Sequence, residues 1–252
     1  MICGLCQQDV PRLVKSHIIA KAIAMHGRPK GSQDPLVILP SNKDERATPS
    51  RTGIYAEIVC SSCEAGFQAG DDALLALLRS LGQGVPFAYE NGRPLGVSYP
   101  NADIEGVHRG ILSTLFRAHL SSNSMFQHVV LDPVHEQRIR ELLLSNASTL
   151  SSIYSVVLGV VVSEQGMAVA SPFRETMDGV EVIRFYFPNL TAYIKVDERP
   201  FGNVFQHMTI GHSHQLQAVL KEQLSASEMD FFRHVTDGRD ADLARYGPNS
   251  KD

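Results

Sequence analysis

Two Cys-x-x-Cys pairs, Cys3 with Cys6 and Cys60 with Cys63, use all four cysteines of this 252-residue chain. Each pair can be held by one tight turn, and together they supply the four thiolates of a tetrahedral zinc site. A disulfide framework or two redox motifs would draw on the same residues. A reducing compartment favours metal over disulfide. Neither pair opens a clear strand–helix–strand unit of the kind a redox motif occupies. A site closed by four thiolates has no open position, so its ion would staple residues 3–6 to residues 60–63 and do no chemistry itself.

The staple draws together the stretches just C-terminal to each pair. "LVKSHII" after the first contains His17; "EAGFQAGDD" after the second contains Glu64 and, seven residues on, Asp71. Helix residues seven apart lie on roughly one side. An imidazole near carboxylates can act as a general base on water or share a divalent cation. His17 is therefore the candidate base, Glu64 a candidate catalytic residue and divalent-metal ligand, and Asp71 a candidate further ligand. Lys15 within the first stretch, with Arg12 and Lys21 on either side of it, can meet backbone phosphates.

Other groupings carry less. His212-x-His214, with His207 nearby, would offer two imidazoles on one face of a strand, but Gly211 and Ser213 point to a turn and a helix N-cap. Asp237, Asp240 and Asp242 superficially match a calcium loop, but the glycine comes too early and no acid falls at the twelfth position, so they read as a solvated helix start.

The elements that must position these residues emerge from periodicity. Residues 12–19 read as a short strand running into a turn, and 53–59 as a strand entering the second cysteine pair. From Cys63, Phe67, Leu74, Leu75, Leu77, Leu78 and Leu81 recur at helical spacing, in a helix loosened by Gly66 and Gly70. Residues 27–53 read as a long loop with one apolar island at 36–39. The Gly- and Pro-dense stretch 82–96 reads as a boundary. Beyond it come amphipathic helices at 107–120 and 133–146. Strands come next at 154–163, 180–187 and 191–196, joined by turns at Asp178-Gly179 and Pro188-Asn189, and such short connections make them antiparallel neighbours. Helical segments near 214–224 and 226–235 close the chain, the second with a capping-box pattern from Ser225 to Glu228.

Composition sets the frame. With 43% hydrophobic and 20% charged residues the chain reads as an ordinary globular protein. No apolar run approaches a membrane span, and the start has no basic-then-apolar leader, so the expected location is the cytoplasm. A net charge of −4 argues against indiscriminate coating of nucleic acid. Within residues 1–59, however, eight Lys and Arg stand against five acids, a balance of +3 that leaves −7 for the remainder.

The layout resembles that of zinc-supported HNH endonucleases, more narrowly a group of stand-alone bacterial HNH-like proteins with Ser-His-Ile-Ile and Cys-Glu motifs. The matching residues are Cys3, Cys6, Ser16-His17-Ile18-Ile19, Cys60, Cys63 and Glu64, and the resemblance spans roughly residues 3–75. It implies a ββα-metal module with His17 as general base, Glu64 as ligand to Mg²⁺ or Mn²⁺, and structural Zn²⁺ on the four cysteines. Where that family places an acid before the histidine this chain has Ser16, and Tyr55 stands where it places an asparagine; Asn42 lies in the loop, out of register. The expected fold is α+β: an HNH-like ββα module over 1–84, then an α+β domain with an antiparallel sheet over 97–246. The expected function is metal-dependent hydrolysis of DNA phosphodiester bonds, with DNA as partner. The alternative is a catalytically degenerate, zinc-stapled protein that binds nucleic acid, another protein or a second copy of itself.

Overall fold

In the computed structural model, residues 1–26, 36–39, 48–145, 147–161 and 169–221 are described. The architecture is mixed α+β, with a four-cysteine cluster near the N-terminus and a largely antiparallel sheet at the centre.

The N-terminal part is a two-stranded ribbon. β1 (Val14–His17) pairs antiparallel with β4 (Tyr55–Val59), placing Ser16 opposite Ala56 and His17 opposite Tyr55. Between them lie α1 (Lys21–His26) and two short strands, β2 (Leu36–Leu39) and β3 (Thr48–Ser50). The ribbon leads through Cys60 into α2 (Ser61–Ser80), which buries Cys63, Phe67, Gly70, Leu74, Leu75, Leu77 and Leu78. This is the apolar face that the leucine spacing predicts.

α2 packs on α3 (Ile104–Leu120), whose N-cap Asp103 accepts from the Gly106 amide and satisfies one of the open donors of the first turn. The two helices touch backbone to backbone. A Cβ on Gly110 would lie 2.3 Å from the Gly70 carbonyl oxygen, and one on Gly70 would lie 2.7 Å from the Gly110 nitrogen. Gly70, expected to loosen the helix, is instead what lets α3 approach. α4 (Pro133–Leu144) begins with Pro133 after Asp132, whose carboxylate accepts from the amides of Val134 and His135.

The remaining strands are β5 (Val85–Glu90), β6 (Arg93–Tyr99), β7 (Val156–Val161), β8 (Val169–Ala170), β9 (Phe173–Met177), β10 (Val180–Phe187), β11 (Leu190–Lys195) and β12 (Leu216–Lys221); the short helix α5 (Asn203–His207) precedes the last. Seven of them form one sheet in the order β5-β6-β12-β7-β11-β10-β9, while β8 joins β2 and β3 in a separate three-stranded sheet. The pairing β10–β11 is antiparallel, as its two-residue connection required; β7, read as the turn-joined neighbour of β10, instead pairs antiparallel with β11, because β9 takes the other edge of β10. Asp178 and Gly179, at φ 53 and 79, make the two-residue turn between β9 and β10. Asn91 and Gly92, at φ 51 and 78, do the same between β5 and β6, so residues 82–96 carry a hairpin of the large sheet.

β7 and β11 are buried at every position, because both faces of the sheet are covered. Val156, Leu158, Ile183, Phe185, Ala192 and Ile194 join the core that includes α2 and α3, whereas Val157, Val182 and Tyr193 pack with Phe201 on the other side.

One expected element is corrected. Residues 216–221, read as part of a helix over 214–224, form β12, antiparallel to β6 and parallel to β7. The stretch "LQAVLK" favours a helix by composition, but ladders on both sides outweigh that preference and bury Leu216 and Ala218 completely. The helix expected at 226–235, its capping box, the acids from Asp237 to Asp242 and Asn42 lie outside the described residues. Among the described residues, no helix is long and apolar enough to cross a membrane.

Candidate metal centre and adjoining site

The four cysteine sulfurs converge to within 4.8 Å of one another, with Cys6 Sγ and Cys60 Sγ 4.0 Å apart. Thiolates at about 2.3 Å from a tetrahedral zinc stand about 3.8 Å from each other, so a small contraction would close the shell. All four are free thiols. Cys3, Cys60 and Cys63 are buried, and Cys6 is partly exposed.

Local geometry explains the convergence. The Gln7 amide donates to the Cys3 carbonyl at 3.0 Å while Gln7 adopts φ 58, turning the first pair back on itself. The Gly4 amide donates to the Ile58 carbonyl at 2.9 Å, tying this turn to β4. A side chain there would meet Ile58 O at 2.8 Å and Leu120 at 2.7 Å. The second pair sits on the start of α2, with Cys60 as N-cap, and there the helix dipole and open amides favour thiolate.

Hydrogen bonds add to that preference. The Cys60 amide donates to Cys3 Sγ at 3.2 Å, and Ser62 Oγ lies 3.1 Å from Cys60 Sγ. The Ser62 hydroxyl and the Cys63 amide bring the Cys60 thiol down to about 6. Burial opposes ionisation of Cys3, yet amide donors from Cys6, Cys60 and Leu5 hold it below its ordinary value. Burial pushes Cys63 up. A divalent ion, which requires all four to be thiolates, would replace this uneven sharing of protons. The four-cysteine cluster can thus bind a metal ion such as zinc, and soft sulfur ligands in a tetrahedral set are what zinc selects.

His17 stands at the end of β1, on the outer face of the ribbon. Its Nε2 lies 2.9 Å from the Thr52 carbonyl oxygen, and its ring meets Tyr55 at a centroid distance of 6.0 Å and an interplanar angle of 67°. A carbonyl oxygen only accepts, so Nε2 carries the proton and Nδ1 the lone pair. Lys15, Arg12 and Lys21 are exposed, with the Lys15 ammonium 4.9 Å from the centre of the Tyr55 ring.

The carboxylates divide. Glu64, one residue beyond the cysteines, has a buried Oε2 with no hydrogen-bond partner; Ser16, fully buried, leaves its Oγ in the same condition. Asp71 is committed elsewhere. Its Oδ1 accepts from Arg117 Nη2 at 2.6 Å and its Oδ2 from Nη1 at 3.0 Å. Among the described residues, the cysteines are the sole group of three or more His, Cys, Asp or Glu whose ligand atoms converge, so Asp71 does not meet His17 and Glu64 as a ligand set.

Arg117 is not among the residues that spacing singles out. It is 1% exposed, lies with its guanidinium 4.9 Å from the Phe67 ring centre, and also donates to the His17 carbonyl oxygen at 2.8 Å. One side chain thus ties β1, α2 and α3 together. A signal exists: Gly110, Ser113, Thr114 and Arg117 form a small and polar stripe on an otherwise apolar helix, at the i, i+3, i+4, i+7 spacing of one face.

Elsewhere, His207 and His212 meet, with Nδ1 and Nε2 at 2.9 Å, in the turn before β12. Sequence spacing pairs His212 with His214; the ring contact it makes is with His207. A cleft of about 820 Å³ opens against the outer side of the cysteine pairs, lined by Cys6, Ser62, Cys63, Phe67, Arg109 and Ser148 among others; His17 is not part of its wall.

Comparison with known proteins finds no matching family model, no matching curated protein and no matching solved structure.

Proposed function

We propose that the protein is a zinc-stapled, HNH-like endonuclease that hydrolyses DNA phosphodiester bonds, with His17 as its general base. The observation that carries this reading is the locked imidazole. Thr52 holds Nε2–H, which leaves Nδ1 as a base on an exposed ribbon face. A ribbon face suits a long polymer better than a small molecule, which would need an enclosing pocket. Arg12, Lys15 and Lys21, all exposed and within five residues of His17 along the chain, supply positive charge.

The divalent ion this chemistry uses is compatible with the residues present. Of the two positions that the HNH resemblance assigns to metal ligation, Ser16 lies on the ribbon face opposite His17, whereas Glu64 has a buried carboxylate oxygen without a partner. Such a hard oxygen ligand suits Mg²⁺ or Mn²⁺, and one carboxylate with substrate phosphate oxygens is a common way of holding Mg²⁺. When bound, the ion would stabilise the charge developing on the leaving oxygen. His17 takes the proton from water at Nδ1, the water oxygen forms a bond to phosphorus, and the leaving oxygen departs with the electron pair of the broken P–O bond. Asp71 has a different part: it anchors Arg117, which holds the end of β1 through the His17 carbonyl.

A second reading is favoured by the Arg117–Asp71 pair. A guanidinium already occupies the carboxylate that would have completed a ligand set, as expected of a zinc-stapled binding protein that has lost catalysis.

Nicking of supercoiled plasmid separates the two. With Mg²⁺, Mn²⁺ and Ni²⁺ tested in parallel at low salt, the wild type should nick DNA. His17→Ala and Glu64→Ala should fall to background with full zinc content and unchanged thermal stability. Wild-type nicking no greater than that of His17→Ala under all three metals would defeat the nuclease reading and leave the binding reading in its place.

A further inference from the structure

The outer face of the β1–β4 ribbon carries a feature that hydrolysis alone does not require. Tyr55 is 44% exposed, on a strand whose next buried positions are Ile58 and Val59. Its ring is flanked by Lys15 at 4.9 Å and by His17 at 6.0 Å. The strand pairing sets this arrangement, with His17 opposite Tyr55 and Lys15 opposite Glu57, so alternate residues of both strands present one face: Lys15, His17, Tyr55 and Glu57. An exposed aromatic ring, a cation over it and a candidate base beside it therefore sit on two adjacent strands.

We propose that Tyr55 is a stacking platform for an unpaired base, and that the substrate is single-stranded or locally unpaired DNA. This deepens the nuclease reading and rests on it. In a duplex both faces of a base are covered by its neighbours, so a ring on a flat protein surface has nothing to stack against; an unpaired base offers its whole face. The Lys15 ammonium sits over the ring at a solvent-exposed site, where a cation–π contact is weak, and it can transfer to the phosphate of the incoming nucleotide. Exposed Arg12, Lys21 and Arg51 add charge for the flanking phosphates, against Glu57 as the acid on the face. A base on Tyr55 brings its own backbone beside His17, so stacking would choose which phosphodiester the base meets. Tyr55 is then a specificity-determining residue and takes no part in proton transfer.

The test measures binding and cleavage separately on the full-length, zinc-loaded protein. Anisotropy of a labelled DNA strand of about 12 nucleotides, within the span one single-strand-binding domain covers, and of the corresponding duplex is titrated with wild type, Tyr55→Phe, Tyr55→Leu and Tyr55→Ala at fixed salt. Wild type should bind the single strand more tightly than the duplex. Tyr55→Phe should keep that preference, whereas Tyr55→Leu and Tyr55→Ala should lose about tenfold or more of single-strand affinity, the scale of one lost base–aromatic stack, with duplex affinity changed less than twofold. Tyr55→Leu keeps a bulky apolar strand residue, so a loss shared with it, at wild-type zinc content and melting temperature, is a loss of the ring. Equal binding of strand and duplex by the wild type, or a Leu variant equal to Phe, overturns the platform. Cleavage of the two substrates is then followed with Mn²⁺. Tyr55-dependent strand binding without cleavage would remove the nuclease reading and keep the platform. Cleavage indifferent to Tyr55 would do the reverse.

Discussion

The ribbon and the large sheet are held by different means. In β7 and β11 every side chain is buried, and apolar contact on both faces suffices to fix them. In β1 and β4 only Ser16, Ile58 and Val59 are buried, and Ser16 brings an oxygen with no partner into the interior. A two-stranded ribbon of this kind is marginal by itself. What fixes it is a set of point attachments: the cysteine cluster, the Gly4–Ile58 hydrogen bond and Arg117. Apolar burial therefore accounts for the sheet, whereas the ribbon that bears His17 depends on a few polar and ligand contacts, any one of which can be removed.

The largest effect should come from the cluster. Cys60→Ser should abolish binding of the about one zinc per chain expected of a four-thiolate site, measured by elemental analysis. Hydrogen exchange should then show residues 1–59 opening while β7, β10 and β11 stay protected. Equal loss of protection in both regions would erase the contrast between them.

Arg117→Ala comes next. It strands the mostly buried Asp71 carboxylate and frees the His17 carbonyl, and removing one partner of a buried pair destabilises by about 3–5 kcal/mol. Denaturant unfolding measures the loss. Asp71→Asn in the same background should recover part of it, because the orphaned charge is gone.

Gly110→Ala tests the crossing of α2 and α3. Its Cβ would overlap the Gly70 carbonyl, and overpacking of this sort costs about 1–3 kcal/mol. A melting temperature equal to that of the wild type would show that the helices separate without penalty.

The smallest effect concerns pH. His108 is fully buried between Thr149 Oγ1 and the Tyr154 carbonyl, both at 2.9 Å, and burial lowers its imidazole below the ordinary 6.5 despite the nearby Glu105 carboxylate; Arg109 pushes the same way as burial. Its neutral form stabilises the fold at pH above about 6.5, the unfolded value. That contribution is lost as the pH falls from there through the lowered folded value. Melting temperatures measured from about pH 8 to about pH 5, the span over which histidine titrates, should fall more steeply for wild type than for His108→Asn, and parallel curves would refute it.

Much of this was legible in the sequence, and the exceptions have physical causes. Cys-x-x-Cys spacing, Asp178-Gly179 and the leucines of α2 are local signals, and the elements they announce are present. β12 was not legible, because "LQAVLK" becomes a strand only through partners more than fifty residues away. Asn91-Gly92 marks a hairpin, but the surrounding glycines and prolines hid it. Arg117 was missed because its partners, His17 and Asp71, lie on other elements. Asp71 stands at the expected helical spacing from Glu64, yet spacing along one helix says nothing of a guanidinium arriving from the next.

β12 also dictates an order of assembly. On one side of it stands the β5–β6 hairpin, on the other the β7-β11-β10-β9 group, and β12 alone joins them. Until residues 216–221 have been synthesised, β6 and β7 each present an open edge. Such edges invite pairing with other chains, and the late, long-range closure makes for slow folding. A nascent chain would spend that interval as two half-sheets, vulnerable to aggregation and in need of chaperoning, with its cysteines long since out of the ribosome.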